Sequence, residues 1–525
     1  MLRVFRFALL ACLSIPVHAE PPADGYRQLE QIRRAAGMPT LQQEAHLQQA
    51  ADAHARYLLE NGLNSHEEQP GLPGFSGISP SERAASAGYA SRAVTENLSY
   101  GQSGFPASID ALMTGIYHRL GFLDPTLDQI GIARPSIESP RYVYELGNRR
   151  YTRQCLTAGE ASQGSYYTGV CNPEKRLPAK DYDAATQTTR SASPALILWP
   201  PPGANHVSPA FFEESPDPLP DRAVSGNPIS VQFNPYYIGQ VSVLSFALFD
   251  ASGALVENTR LLDHANDPNQ RMNDHQFALF PLDRLEWGQD YRVELRYIAD
   301  GKQASREWRF HTRNPDELPV FRVSRNGSLL RVAANSRFAV YLPPTANADR
   351  AGSVNWIANS ADAVKDVHFI DPNTLSISLG GALGSQVNLS TGSGVSFSIR
   401  IIAGQALQAA AYRFPSGSCV ENGETARYEA TSGTLTLPHV LVDGSAGFDA
   451  TLRLADGDPR VVFDITALTP STRDISCRSA SFDSRTGRLD IPDVLAAGLG
   501  DYRAELRLIQ EDGRARLALQ SLEAR

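Results

Sequence analysis

"TGIYHRLGFLDPTLDQIGIA", residues 114–133, sets a charged pair, His118 and Arg119, between apolar runs and closes on a short β-like segment. Upstream, Ile109, Leu112, Met113 and Ile116 recur at three- and four-residue steps, so the spacing predicts a helix that ends near the pair. Taken alone, His118 reads as a solvated helix end and Arg119 as a cation favoured by the dipole of that terminus. The Leu-Asp-Pro that follows reads as the turn feeding "QIGIA" (129–133), and "RYVYELGN" (141–148) as a second short strand. Further upstream, "YRQLEQIRRAAGM" (26–38) carries Leu29, Ile32 and Ala36 on one stripe and stops at Gly37 and Pro39. "LQQEAHLQQAADAHARYLLENG" (41–62) repeats Leu47, Ala50, Ala51, His54, Ala55 and Leu58 and stops at Asn61-Gly62. Helices interleaved with short strands make this part α/β or α+β.

The chain changes character near residue 190. "PISVQFN" (228–234), "VSVLSFALFD" (241–250), "YRVELRYIA" (291–299) and "REWRFHT" (306–312) alternate or are β-rich at hairpin-like intervals. Trp199-Pro200-Pro201-Pro202 and "ESPDPLPDR" (214–222) supply the proline punctuation of a linker or domain edge.

 The expected organisation is a multidomain chain. It has an N-terminal α/β domain over 20–190, a β-sandwich of immunoglobulin-like size over 193–314, a β domain over 316–403, and tandem β repeats over 404–525. The repeats are legible directly: 426–454 aligns without gaps to 480–508 at an offset of 54, keeping Gly433/Gly487, Pro438/Pro492, Val440/Val494 and Leu452/Leu506 in step.

Compartment follows from residues 1–19. Arg3 and Arg6 precede an apolar run from Phe7 to Val17, and Val17-His18-Ala19 offers small residues around a cut, the pattern of a secretory signal peptide. "LLAC" (9–12) is the alternative, a lipoprotein site at Cys12, but it falls too early in the segment. No later stretch has the ~20 unbroken apolar residues of a membrane helix. The protein is therefore expected to be secreted, periplasmic or on the cell surface. Without the leader the chain holds 46 basic and 57 acidic residues, a balance that points away from nucleic acid and anionic membranes. Four cysteines remain, and sequence proximity favours the disulfides Cys155–Cys171 and Cys419–Cys477.

No HExxH, nucleophile elbow or phosphate-binding glycine loop is present, so a site has to be assembled from distant residues. His54 lies on the apolar stripe of its helix and reads as a hydrogen-bonded core histidine, and His46 as an exposed one. His66 and His118 stand beside loops, and Glu96 lies in "VTENLSYG" (94–101). Two imidazoles and a carboxylate suffice to hold Zn²⁺ with open positions, which makes His66, Glu96 and His118 the candidate metal ligands and zinc the candidate cofactor.

Those residues, with "ENGLNSHEE" (60–68), "TENLSYG" (95–101) and "YHRLGFLDPTLDQIGIA" (117–133) in order, resemble the CAP superfamily of cysteine-rich secretory, antigen 5 and pathogenesis-related proteins, in its bacterial form. The resemblance covers 26 to about 150 and implies an α–β–α sandwich with a cleft lined by His66, Glu96 and His118. The family's second cleft glutamate has no counterpart in "LMTGIYHR" (112–119), where Asp110 lies eight residues before His118; Glu67 and Glu68 are the nearby acids. The function expected is an exported binding or cell-envelope interaction protein whose β modules display or anchor it. Its ligand would be an extracellular lipid, peptide or envelope component. The alternative is a metal-dependent hydrolase acting on peptides or peptidoglycan.

Overall fold

The structure, a computed structural model, describes residues 22–525 except 316–317, 324–325, 346–347, 405, 408–418, 421–422, 444–446, 456–459, 472–475 and 512–513, and leaves the side chains of 419–420 undescribed. The expected signal peptide, Cys12 within it, and the Cys419 side chain lie outside the described residues. Contacts divide the chain into two units, one reaching to Trp199 and including Val231–Val241, the other formed by Pro200–Ser230 and Ser242–Arg525.

In the first unit seven helices and a small sheet position the candidate residues. The helices are α1 (Ala23–Ala35), α2 (Ala45–Asn61), α3 (Pro80–Ser86), α4 (Phe105–Thr114), α5 (Ile116–Phe122), α6 (Arg149–Thr157) and α7 (Ala179–Arg190). The strands are β1 (Gln42–Gln43), β2 (Thr95–Tyr100), β3 (Gln129–Ala133) and β4 (Arg141–Gly147), in the order β1-β3-β4-β2. α2 ends where the sequence says: Gly62 takes a left-handed conformation with φ 65° and returns its N–H to the last turn. Alternation along β4 sends Tyr142, Tyr144 and Leu146 into one core with Leu29, Ile32, Ile109 and Phe122. Val143 goes the other way, into a core with Ala51, Ala55 and Leu58 of α2. The sheet is thus covered on both faces by helices.

"QIGIA" owes its glycine to this layering. A Cβ on Gly131 would overlap the backbone of Leu47 and Gln48, so α2 crosses β3 only because that position is bare. The Leu-Asp-Pro segment is a turn, with Asp124 Oδ1 accepting from Thr126 N at 2.6 Å. Buried Arg33 holds it by donating to the carbonyls of Phe122 and Leu127, both at 2.9 Å.

The helix expected to end at His118–Arg119 is interrupted. Gly115, with φ −74° and ψ 132°, stops α4, and α5 begins at Ile116. Arg119 is accordingly not a solvated terminus: it is fully buried and donates Nε to Met113 O at 2.7 Å, at the end of α4. The break leaves carbonyls that need a donor, and this cation supplies it. Cys155 and Cys171 form a disulfide with Cα atoms 5.3 Å apart.

Beyond Arg190 the described elements contain no α-helix. In the second unit Asp290–Ala299 and Lys302–Thr312 pair antiparallel from Asp290↔His311 onward. A four-stranded and a five-stranded sheet between 320 and 420 share one core, with Val332, Phe338, Ile377 and Ile399 fully buried. Strands from 426 to 524 form an eight-stranded sheet with two further pairings, Ala426–Glu429 with Arg488–Ala496 and Thr434–Val442 with Ser481–Asp483. Those pairings close it into a barrel. Cys477 is disulfide-bonded.

Within the second unit Arg284 joins the strands before and after residue 316. It makes a two-pronged contact with Asp371 at 3.0 and 2.8 Å, and its guanidinium lies 4.8 Å from the ring centres of both Trp287 and Tyr341. Its side chain is 1% exposed. Arg284→Ala removes the partner of a mostly buried carboxylate and is expected to cost about 3–5 kcal/mol, read as a lower denaturation midpoint. Gly131→Ala is expected to cost about 3 kcal/mol by forcing α2 from the sheet, read in the same way.

Candidate functional site

Period-two alternation explains how the site begins. β2 and β4 pair antiparallel with Glu96 directly opposite Glu145, so both carboxyl groups project on the face that α2 covers. Asn97, one residue on, goes to the other face. There its Nδ2 donates to the carbonyl of His118 at 2.9 Å and fixes α5 beside β2.

Around Glu96 the chain gathers groups from four elements. His66, in the loop after α2, has Nδ1 2.8 Å from Glu96 Oε1. Arg83 of α3 donates to Glu96 Oε2 at 2.6 Å and lies 3.5 Å from Glu145 Oε1. The same guanidinium donates Nη1 to the carbonyls of His66 at 2.8 Å and Ile78 at 3.3 Å. His54 of α2 is fully buried, with Nδ1 2.9 Å from Glu68 Oε1 and Nε2 3.0 Å from Ser65 O. Glu68 closes the network by accepting from Ser76 N at 2.6 Å.

Charge is balanced within this cluster. Burial pushes the Glu96 carboxyl up, but the His66 hydrogen bond and the Arg83 charge outweigh it and hold it below the ordinary value. Glu68 behaves alike: burial is outweighed by its hydrogen bonds from His54 and Ser76. Glu145 goes the other way, driven well above the usual range by burial and by the neighbouring Glu96 charge. Neither of its oxygens makes a hydrogen bond among the described residues, and the nearest cation is the Arg83 guanidinium, 3.5 Å from Oε1.

His66 and Glu96 thus meet, and the ring of His66 remains 48% exposed. Because Glu96 holds Nδ1, the other ring nitrogen, Nε2, is aimed by the same logic that orients a catalytic imidazole. His118 is placed on α5 next to β2 rather than at a helix end. His54 is buried and hydrogen-bonded as read, yet it belongs to the cluster through Glu68 and lies 3.8 Å from Glu96. Glu68, one of the two nearby acids, is buried. Glu145 and Arg83 escaped the sequence reading. An acid inside the apolar alternation of "RYVYELG" was the available signal for Glu145.

Zinc fits these residues poorly. Both Glu96 oxygens are engaged, one by a fixed guanidinium that a cation would have to face. Among the described residues no group of three or more His, Cys, Asp or Glu side chains is arranged to hold a metal ion.

The two glutamates give opposite pH signatures. Glu96, held low, adds stability above the ordinary carboxyl range and loses it as pH falls through its depressed value. Glu145, held high, adds stability below that range and loses it as pH rises through its raised value. Glu145→Gln is therefore expected to match or exceed the parent in urea unfolding at neutral pH, with the advantage widening as pH rises. Glu96→Gln takes from Arg83 its closer carboxylate, at 2.6 Å, and leaves only Glu145 at 3.5 Å; it is expected to lose about 2–4 kcal/mol at neutral pH, a loss that narrows in acid.

Comparison with solved structures finds an outer surface protein of Borrelia burgdorferi at 20% identity, covering 24% of this chain and 89% of that one with a TM-score of 0.21. It also finds an extracellular protein containing an SCP domain from Bacillus anthracis at 16% identity, covering 24% of this chain and 40% of that one with a TM-score of 0.22. A search among curated proteins gives no match. The model of the cysteine-rich secretory protein family, CAP, matches residues 26–146, and the N-terminal domain of this chain belongs to that family.

Proposed function

We propose that the chain is an extracellular or cell-envelope binding protein whose N-terminal domain takes a hydrogen-bonding ligand at His66. The observation that carries this reading is the ring itself: half-exposed, oriented through Nδ1 by Glu96, and backed by an arginine that also holds its own carbonyl. Such a ring offers one well-aimed acceptor to a ligand hydroxyl or N–H. The β-rich remainder serves as the part that displays or attaches this domain. Membership of a family of extracellular type and a disulfide both agree with export. No helix among the described residues is long and apolar enough to cross a membrane.

Hydrolysis would ask for a nucleophile or a base beside the imidazole. The carboxylates at hand are spent, Glu96 on His66 and Arg83 and Glu68 on His54 and Ser76, while burial and the Glu96 charge drive Glu145 well above the usual range.

Chemical modification tests the reading without a known ligand. Diethyl pyrocarbonate is expected to label His66 and leave His54 unlabelled, as read by peptide mass, and extracellular fractions that hold the ligand are expected to protect His66. Casein and peptidoglycan are expected to remain intact after dialysis of the protein against zinc. Zinc-dependent cleavage that disappears in both His66→Ala and His118→Ala would overturn the binding reading in favour of a metal hydrolase.

A further inference from the structure

Loop residues Phe75 and Ile78, Glu82 of α3, and Arg92 and Asn172 line a cavity of about 510 Å³ in the N-terminal unit. That volume is within the range of small-ligand sites. The cavity is built on fixed walls. The carboxylate of Glu68 accepts from Ser76 N at 2.6 Å and Gly77 N at 3.4 Å, which pins the loop to the buried cluster. Glu82 Oε2 accepts from Ile78 N at 2.8 Å, tying the loop to the first turn of α3. The remaining wall is laced by backbone: Arg92 N donates to Val170 O at 2.9 Å, and Asn172 N to Ala90 O at 2.8 Å. Cys171, between them, is tied to Cys155 by the disulfide. Asn172 Nδ2 donates to Ala85 O at 2.8 Å, so that side chain is held too.

What the walls present is chemically selective. Phe75 and Ile78 stand 40% and 43% exposed, two apolar side chains with no core around them. The guanidinium of Arg92 has no hydrogen bond or ion pair among the described residues, and neither do Glu82 Oε1 and Asn172 Oδ1. One cation (Arg92), one carboxylate (Glu82), one amide oxygen (Asn172) and an apolar pair therefore border the same space.

From this set we infer that the cavity is a second binding site, one that takes the C-terminal residue of a peptide with an apolar side chain. The terminal carboxylate pairs with Arg92, which offers a planar fork of donors suited to it. The backbone N–H groups of the peptide donate to Glu82 Oε1 and Asn172 Oδ1, and its last side chain lies on Phe75 and Ile78. Charge complementarity selects this occupant: its carboxylate faces the Arg92 cation while its N–H donors face the Glu82 carboxylate, a pairing that an uncharged apolar ligand does not offer. The site does not rest on the reading of His66. Arg83 reaches His66 only through the backbone carbonyl, so a change of the His66 side chain leaves the loop supports in place.

The test uses the full chain and fluorescein-labelled Ala-Ala-Leu, followed by anisotropy, beside the same peptide with a C-terminal amide. The free acid is expected to bind at least about tenfold more tightly than the amide. Arg92→Gln is expected to remove that difference, Arg92→Lys to keep part of it, and Ile78→Ser to weaken both peptides. Arg92 and Ile78 are not core residues, so these variants fold; far-ultraviolet circular dichroism checks that. His66→Ala is expected to leave the affinity unchanged, which separates this site from the cleft. Equal binding of acid and amide, no binding of either, or a loss that follows His66 rather than Arg92 would overturn the assignment.

Discussion

Arg83 carries its charge into a place that water does not reach, and its neighbours are what make that tolerable. Removing an ion from water costs several kcal/mol even after the surroundings relax, and one close carboxylate, Glu96, offsets most of it. A second ionised carboxylate at Glu145 would turn a neutral pair into a buried net negative charge. The upward push on the Glu145 carboxyl is therefore a consequence of Arg83 being single, not a separate feature. Lysine would not serve in this position. Its compact ammonium lacks the planar fork that reaches Glu96, His66 O and Ile78 O from one group.

How much of this was open to a reader of the sequence depends on whether the signal is local. The stops of α1 and α2 were legible because a glycine marks the end of each. His66 and Glu96 stood out through the order of three short motifs, and they do meet. Gly115 was an overlooked breaker: the apolar spacing runs through it unbroken, while its backbone turns extended and divides the helix. Arg119 was misread for the same reason. A cation at the end of an uninterrupted helix has solvent to face, whereas one just past a break has a preceding helix end to satisfy. Arg83 and Glu145 were harder. Each looks like an ordinary charged residue until the fold buries it, and nothing within several residues of either states that it will be sealed.

In the β-rich part the alternation is local but the partners are not. Ser328–Ala333 pairs in parallel with Ser396–Ile402, some seventy residues on, and no period or turn residue between them announces that choice. The barrel is different, because its pairings fall at a constant spacing. Arg427 pairs with Leu495 and Ser481 with Leu441, so each short strand crosses to the long strand 54 residues from its own hairpin partner. The register shifts at Leu437/Val440 and Ile491/Val494 fall at the same spacing, beside Pro438 and Pro492. A proline that cannot donate to the ladder explains why both strands slip there.

The two surfaces of the N-terminal unit assigned to ligands differ from its interior in one physical respect. Inside, each carboxylate faces a nitrogen partner: Glu96 has Arg83, and Glu68 has His54. At the surface a polar group is left facing outward, Nε2 of His66 in one place and the guanidinium of Arg92 in the other. Fixing such a group where solvent can still reach it takes a second group that is sealed. Glu96 does this for His66, and Glu68 does it for the loop that carries Phe75 and Ile78. Because Arg83 ties the carbonyl of His66 to that of Ile78, the two supports are one frame. The desolvation cost of that frame is what holds the exposed groups in position before any ligand arrives.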